Sequence, residues 1–334
     1  MNKFKVTWIL GGLFLILIAY VYFIEIKGGE KRKVEKEKEE KVWVFDKDKV
    51  ESVSLKTEKG KFTAKRTGEK EWLLEEPLKV KADKLVWNNI VDSLYDLKFS
   101  RVVSEKADDL VPYGLKDSKY IVEITISGEK EKKILSIGDD NPVGDSVFVT
   151  VGPSQKVVLV PQFISSTLNK DIKDFREKKL FTFDETKTQE VTLEKAKEPK
   201  LVLKKEPGKE IDKWFILSTP KKEEADASKV TELLNTLNFL EVKTFEDESP
   251  KELAKYELNA PQLKVTIRDE KTAQLQLLFG KKTNDGVFVS KASEKPVYQV
   301  NATILDRLSL DPKKFTKLPE PKKENIEALP EQKK

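Results

Sequence analysis

The feature that most constrains this chain is a stretch of sequence that occurs twice. The first copy runs from Trp72 to Leu115 and the second from Trp214 to Leu258. Each copy opens with an aromatic and apolar run that ends at a proline, and each continues through an Ala-Asp pair at Ala82-Asp83 or Ala225-Asp226. Each copy then closes on a tyrosine two residues before a leucine. A long sequence repeated in this way predicts two copies of one folded unit.

After each Ala-Asp pair, apolar residues recur at the spacing i, i+3, i+4, i+7 and i+10, which marks one face of an α-helix. These residues are Trp87, Ile90, Val91, Leu94 and Leu97 in the first copy and Val230, Leu233, Leu234, Leu237 and Leu240 in the second. Asp83 and Asp226 directly precede the two stripes. We therefore predict that they are helix caps, because a side-chain oxygen there satisfies free backbone N–H groups.

The repeat extends beyond these segments in both directions. Phe45 matches Phe183 at an offset of 138 residues, and Phe175 matches Phe315 at an offset of 140. This predicts tandem domains at residues 43–182 and 183–318, each of a usual domain size. Alternating short strands, such as Val42–Phe45 and Tyr120–Ile126, surround few helices. We therefore predict an α+β fold in which each domain is an antiparallel sheet packed on a helix.

The amino terminus carries an uncharged run from Val6 to Ile24. Nineteen residues at about 1.5 Å each span roughly 28 Å, close to the thickness of a bilayer core. This predicts a transmembrane helix with a cytoplasmic tail (residues 1–27) that acts as a signal anchor in the lipid bilayer of the cytoplasmic membrane. A cleaved signal peptide is the alternative, but Tyr22 to Lys27 lacks a small-x-small cleavage site.

The prediction is a single-pass protein whose domains lie outside the cytoplasm, in the periplasm, behind a charged linker at residues 28–42. The positive charges after the span favour the opposite orientation, although long carboxy-terminal domains cross membranes largely regardless of charge. Residues 319–334 are rich in Pro, Lys and Glu and predict a disordered tail.

Composition limits the chemistry open to this protein. There are no cysteines and no histidines, so disulfides, thiolate nucleophiles and histidine acid–base relays are excluded. The 63 basic and 58 acidic residues alternate along the chain, which argues against a segregated nucleic-acid surface. We predict no catalytic residues, no cofactor and no metal site.

Three further features invite a functional interpretation. The loops Gly138 to Gly144 and Gly280 to Gly286 lack the Gly-Lys-Ser/Thr signature of a phosphate loop and predict turns between paired strands. Asp139 and Asp140 provide hard oxygens for Ca²⁺, but EF-hand spacing is absent. Tyr113 and Tyr256, like Trp72 and Trp214, are predicted to pack rather than to catalyse.

Several of these motifs together resemble a bacterial envelope family, the domain of unknown function 4340. They are Trp72-Leu-Leu-Glu-Glu-Pro77, Ala82-Asp83, Tyr113-Gly-Leu115, Ile137-Gly138 with Gly144, and the run Lys173 to Leu180. The second copy fits less closely at Glu257 and at Pro312 to Lys317. The resemblance implies a membrane-anchored protein, often encoded beside an ABC-2-type permease and a gliding-motility-type auxiliary transport protein.

The leading hypothesis is therefore a membrane-anchored, non-enzymatic accessory or scaffold protein of the cell envelope, associated with an ABC-2-type export system. The alternative is an extracytoplasmic ligand-binding module that holds a glycan, lipid or peptide between its two copies. An exposed apolar patch favours the scaffold, whereas a deep pocket with converging polar groups favours the binding module.

Overall fold

The structure is a computed structural model that describes residues 39–209, 211–218, 221–270 and 274–317, together with residues 8, 11–14, 17, 20 and 22. The chain divides into two compact units that meet in the sequence at Glu177 and Lys178. The predicted boundary assigned Leu180 and Phe181 to the first domain. Both instead pack in the core of the second unit.

The first unit contains a nine-stranded antiparallel sheet with the order β4-β3-β2-β1-β6-β7-β8-β9-β5. The strands are β1 (Val50–Thr57), β2 (Gly60–Arg66), β3 (Trp72–Glu76), β4 (Val80–Lys81), β5 (Arg101–Ser104), β6 (Tyr120–Ile126), β7 (Lys133–Asp140), β8 (Ser146–Val151) and β9 (Val157–Pro161). Its helices are α1 (Lys84–Tyr95), α2 (Phe163–Leu168) and α3 (Ile172–Phe175).

The second unit repeats this topology strand for strand, with the order β13-β12-β11-β10-β15-β16-β17-β18-β14. The strands are β10 (Thr188–Glu194), β11 (Leu201–Glu206), β12 (Lys213–Ile216), β13 (Glu223–Glu224), β14 (Thr244–Asp247), β15 (Leu263–Asp269), β16 (Gln274–Lys282), β17 (Val287–Lys291) and β18 (Val297–Val300). Its helices are α4 (Ala227–Asn238) and α5 (Ile304–Arg307). The prediction of two tandem copies is confirmed.

The core of each unit lies between one face of its sheet and its main helix. In β1, Val53 and Leu55 are fully buried, whereas Ser52 and Ser54 point to the other face, as the period of two requires. The helical stripes behave as predicted: α1 buries Trp87, Ile90, Val91 and Leu94, and α4 buries Val230, Leu233, Leu234 and Leu237. Each fully buried side chain of this size contributes about 1.5–3 kcal/mol.

Each unit is closed by a contact between its last residues and the start of its main helix. The N–H of Asp83 donates to the carbonyl oxygen of Phe175 at 2.9 Å, and the N–H of Asp226 donates to that of Phe315 at 2.7 Å. Phe175 and Phe315 are both buried in their cores. The matched phenylalanines of the repeat therefore carry out the same closure in both units.

On the outer face of each sheet, a loop carrying the repeated tyrosine packs against a glycine of the sheet. A Cβ on Gly138 would lie 2.1 Å from the carbonyl oxygen of Tyr113, and a Cβ on Gly280 would lie 2.0 Å from that of Tyr256. Side chains avoid contacts this short, so only glycine fits at either position. This contact brings together the Tyr-x-Leu and apolar-Gly motifs of the repeat.

The predicted fold class needs correction. The structure consists of two large antiparallel sheets with few helices, and it is only partly α+β. Each sheet reaches nine strands because β5 and β14, which follow the main helices, return to the sheet edge beside β9 and β18. Val42–Phe45, predicted as a strand, lies outside every strand.

The predicted membrane anchor is also corrected. Most of Val6 to Ile24, like residues 28–38 of the linker and the tail at 319–334, falls outside the described residues. Within the described part of the chain, no helix has both the length and the apolar character needed to cross a bilayer. The main helices α1 and α4 have 12 residues each, about 18 Å. The predicted single-pass anchor therefore has no counterpart among the described residues.

We expect Gly138→Ala and Gly280→Ala each to destabilise their unit by about 1–3 kcal/mol, because the added methyl group forces the tyrosine loop away from the sheet. Urea denaturation followed by tryptophan fluorescence measures the effect. Gly68→Ala is the matched control, since the nearest atom to its Cβ would be 3.9 Å away. A midpoint for Gly138→Ala equal to that of the control would contradict the assigned contact.

Candidate functional site

The two aspartates of the repeated Ala-Asp pairs have a structural role. The Asp83 carboxylate accepts from the N–H groups of Leu85 (2.9 Å) and Val86 (3.2 Å), and Asp226 accepts from the N–H of Ser228 at 2.9 Å. Both are helix caps, which confirms the prediction.

The glycine-bounded loops join paired antiparallel strands, β7 with β8 and β16 with β17, as predicted. Asp139 forms an ion pair with Lys119 at 3.0 Å, and Asp140 accepts from the amide of Gln162 at 3.2 Å. Within the ranges described, no three His, Cys, Asp or Glu side chains gather as a metal ion would require.

The repeated aromatic residues pack as expected. The ring centroid of Tyr113 lies 5.1 Å from that of Phe148, and Tyr256 lies 4.9 Å from Phe288. The hydroxyl of Tyr256 donates to Asp247 at 3.0 Å. Burial, together with this hydrogen bond to a carboxylate, raises the pKa of Tyr256 above its usual value. Trp72 packs on Trp87 of α1, with ring centroids 6.2 Å apart.

A cleft with a volume of about 960 Å³ lies beside α4. We call it the α4 cleft. One wall is the outer face of α4. The other is formed by α5 and by the 3-10 turn Pro312–Lys314. Its lining residues are Ser228, Lys229, Thr231, Glu232, Leu233, Asn235, Thr236, Phe239, Asp306, Arg307, Ser309, Lys314 and Phe315.

The apolar side chains of the α4 cleft lie on its floor and at one of its ends. Leu233 and Phe315 are buried and form the floor. Phe239, at the carboxy-terminal cap of α4, remains 66% exposed. The amine of Lys179 lies 5.3 Å from the centre of its ring, a cation–π arrangement that holds a cation beside the cleft.

The hydroxyl groups along α4 are engaged within the helix itself. Thr231 donates to the carbonyl oxygen of Ala227 at 2.9 Å, and Thr236 donates to that of Glu232 at 2.8 Å. Ser228 donates to the Asp226 carboxylate at 2.6 Å. A hydroxyl that donates its proton to a carbonyl is not paired with a general base, which nucleophilic catalysis requires.

Charges of both signs border the α4 cleft. Lys229 pairs with Glu232 on the helix at 3.1 Å, while Arg307, Lys314 and Asp306 lie on the opposite wall. At the start of the helix, the hydrogen bond from the Ser228 hydroxyl lowers the pKa of Asp226, and the backbone N–H of Ser228 adds to this effect. The lowered pKa keeps the Asp226 carboxylate ionised. Its negative charge interacts favourably with the positive end of the helix dipole.

In the described part of the first unit, the residue that caps the main helix is not aromatic. At the corresponding position, Asp96 caps α1 where Phe239 caps α4. A smaller cleft of about 410 Å³ lies between the start of β6 and α2, lined by residues that include Tyr120, Gln162 and Phe163. The two copies therefore differ in the side chain that ends the main helix.

Sequence analysis did not identify the α4 cleft. The signal was present, because Phe239 interrupts the stripe between Leu237 and Leu240 and so points away from the buried face. The opposite wall comes from residues 306–315, far along the chain, and no local pattern predicts that they approach α4.

Comparison with known proteins finds one family. The family model described as "Domain of unknown function (DUF4340)" matches residues 29–117, 72–246 and 214–332, three overlapping segments that cover most of the chain. Neither the curated proteins nor the solved structures contain a match. The matched segments begin again at Trp72 and Trp214, the first residues of the two sequence copies, in agreement with tandem copies of one family unit.

We expect the pKa of Asp226 to lie below the ordinary value and to rise in Ser228→Ala, which removes the largest cause of the shift. Because the folded-state pKa is depressed, the cap stabilises the folded state fully above about pH 4 and loses this contribution as the pH falls through the folded value. An NMR titration of the Asp226 carboxyl carbon measures the shift. An unchanged titration in Ser228→Ala would refute the assigned cause.

Proposed function

The chain belongs to the family of the domain of unknown function DUF4340, and we propose that it is a non-enzymatic scaffold protein that docks on a partner protein through the α4 cleft. The observation that carries the proposal is the exposed ring of Phe239 at the end of a cleft with an apolar floor. Large exposed aromatic groups beside such a floor mark interaction sites more often than ordinary surface.

The dimensions of the α4 cleft support an extended or helical segment as the bound element. The cleft follows α4, whose 12 residues extend about 18 Å. An amphipathic helix in a groove contacts its receptor through a few apolar anchors spaced along one face. Phe239 and the floor residues Leu233 and Phe315 provide a surface for such anchors, and the polar walls form a rim.

We propose that the partner is a component of an ABC-2-type export system, as the family resemblance implies. The balance of charge supports a protein partner rather than a nucleic acid, because Arg307 and Lys314 share the cleft walls with Asp306 and Glu232. A mixed rim around an apolar centre is the usual anatomy of a protein interface.

We expect Phe239→Ser to weaken binding to the purified ABC-2-type permease by roughly 2 kcal/mol, about 30-fold in Kd, as the loss of an aromatic anchor does. A binding isotherm with the full-length chain measures it. Ile211→Ser is the matched control, since Ile211 is 74% exposed but does not line the cleft. Equal affinities for the two variants, or no binding by the parent chain, would count against the proposal.

A second candidate function is ligand binding, and one observation favours it. A cleft of about 590 Å³ in the second unit is lined by Lys195, Lys200, Leu305 and Leu308 and includes Ser218. The hydroxyl of Ser218 is buried and has no hydrogen-bond partner in the described part of the chain. A buried polar atom without a partner is costly unless a ligand satisfies it, and the volume suits a small ligand.

If the second cleft binds a ligand, a panel of oligosaccharides, lipids and short peptides contains compounds that raise the Tm of the full-length chain. Ser218→Ala should then reduce that shift, because it removes the hydroxyl that contacts the ligand. A thermal melt with each compound measures it. A panel without any stabilising compound would remove ligand binding and leave the docking proposal untouched.

A further inference from the structure

We infer that the α4 cleft takes a segment of its own chain, residues Glu324 to Leu329, as an occupant. The inference rests on the proposed function, in that it treats this cleft as a docking groove for a peptide segment. It adds that the groove has an occupant in cis, which a partner has to displace.

The first observation concerns where the described chain ends. Phe315 lines the floor of the α4 cleft, and Lys314 lines its wall. Two residues later, the N–H of Lys317 donates to the carbonyl oxygen of Glu224 at 3.3 Å, close to the start of α4. The chain therefore leaves the described structure beside one end of the cleft that its own residues build. Residues 318–334 lie outside the described part.

The second observation is reach. The segment from Leu318 to Glu324 spans at most about 23 Å when extended. The α4 helix extends about 18 Å over its 12 residues. Residues 324–329 therefore have enough chain before them to lie anywhere along the cleft, from its amino-terminal end to Phe239. A short tether of this kind gives the segment a high effective concentration at the cleft, so weak contacts suffice.

The third observation is chemical complementarity. The sequence Glu324-Asn-Ile-Glu-Ala-Leu329 places two large apolar residues close to two acidic residues. Its Ile326 and Leu329 match the apolar floor and the ring of Phe239. Its Glu324 and Glu327 match the cations Arg307 and Lys314 on the wall. The flanking residues, rich in Pro and Lys, offer no comparable apolar pair.

The family comparison agrees with a role for this segment in the unit. The third matched segment extends to residue 332, beyond the last described residue, Lys317. The family unit therefore includes residues 324–329.

Photocrosslinking in the full-length chain tests the inference. A benzophenone amino acid placed at Phe239 should capture residues 324–329 of the same molecule, identified by mass spectrometry. Mixing ¹⁵N-labelled and unlabelled chains separates capture within one molecule from capture between two copies. The same probe at Ile211, which is exposed outside the cleft, is the control. Ile326→Ser combined with Leu329→Ser should abolish the crosslink from position 239.

Two outcomes overturn the inference. One is capture of residues 324–329 that is no greater from position 239 than from position 211. The other is a crosslink that forms only between labelled and unlabelled chains. If position 239 captures the ABC-2-type permease but never residues 324–329, the cis occupant is refuted while the docking function stands. If the tail is captured and the permease does not bind, the docking function fails alone.

Discussion

Each unit depends on burying one face of a wide sheet away from solvent, although it has few helices to cover that face. Nine strands spaced about 4.8 Å apart present a surface near 40 Å across, and a single 12-residue helix covers only part of it. The first unit completes the cover with large aromatic side chains. The ring of Phe175 lies 4.8 Å from both Phe62 and Trp87, so a residue from the end of the unit fills the space between sheet and helix.

Local patterns in the sequence predicted the elements of each unit better than their assembly. The stripes through Leu94 and Leu237 predicted the helices, and Asp83 and Asp226 predicted where they start, because capping and periodicity act within a few residues. The size of the sheets was not predictable in this way. It depends on β5 pairing with β9 across more than fifty residues of chain. The segment Val42–Phe45 shows the same limit, since the N–H of Val42 bonds to Leu97 beside the helix rather than to a neighbouring strand.

The candidate site was the least predictable part because it arises from differences between the two copies. Gly114 has a positive φ of 64°, and a Cβ there would lie 2.5 Å from the Asp139 side chain. In the second copy, Glu257 stands at the position of Gly114 and has the same left-handed backbone, with a φ of 57°. Lys281 stands there at the position of Asp139, directly after the sheet glycine. The copies thus share a backbone while their side chains diverge. Asp96 and Phe239 are a second such pair, and that substitution supplies the exposed aromatic end of the α4 cleft.

The closure of each unit by its last residues has a consequence for synthesis on the ribosome. The carbonyl of Phe175 accepts from the N–H of Asp83, so the first unit lacks its closing contact until residue 175 has emerged. From that point the strands β1 to β9 and the helices α1 to α3 are all present, and none of the described strands of its sheet comes from the second unit. The nascent chain is therefore able to bury its first core while the second is still being made, which shortens the time that two unfinished, homologous sheets are exposed together and limits mispairing between them.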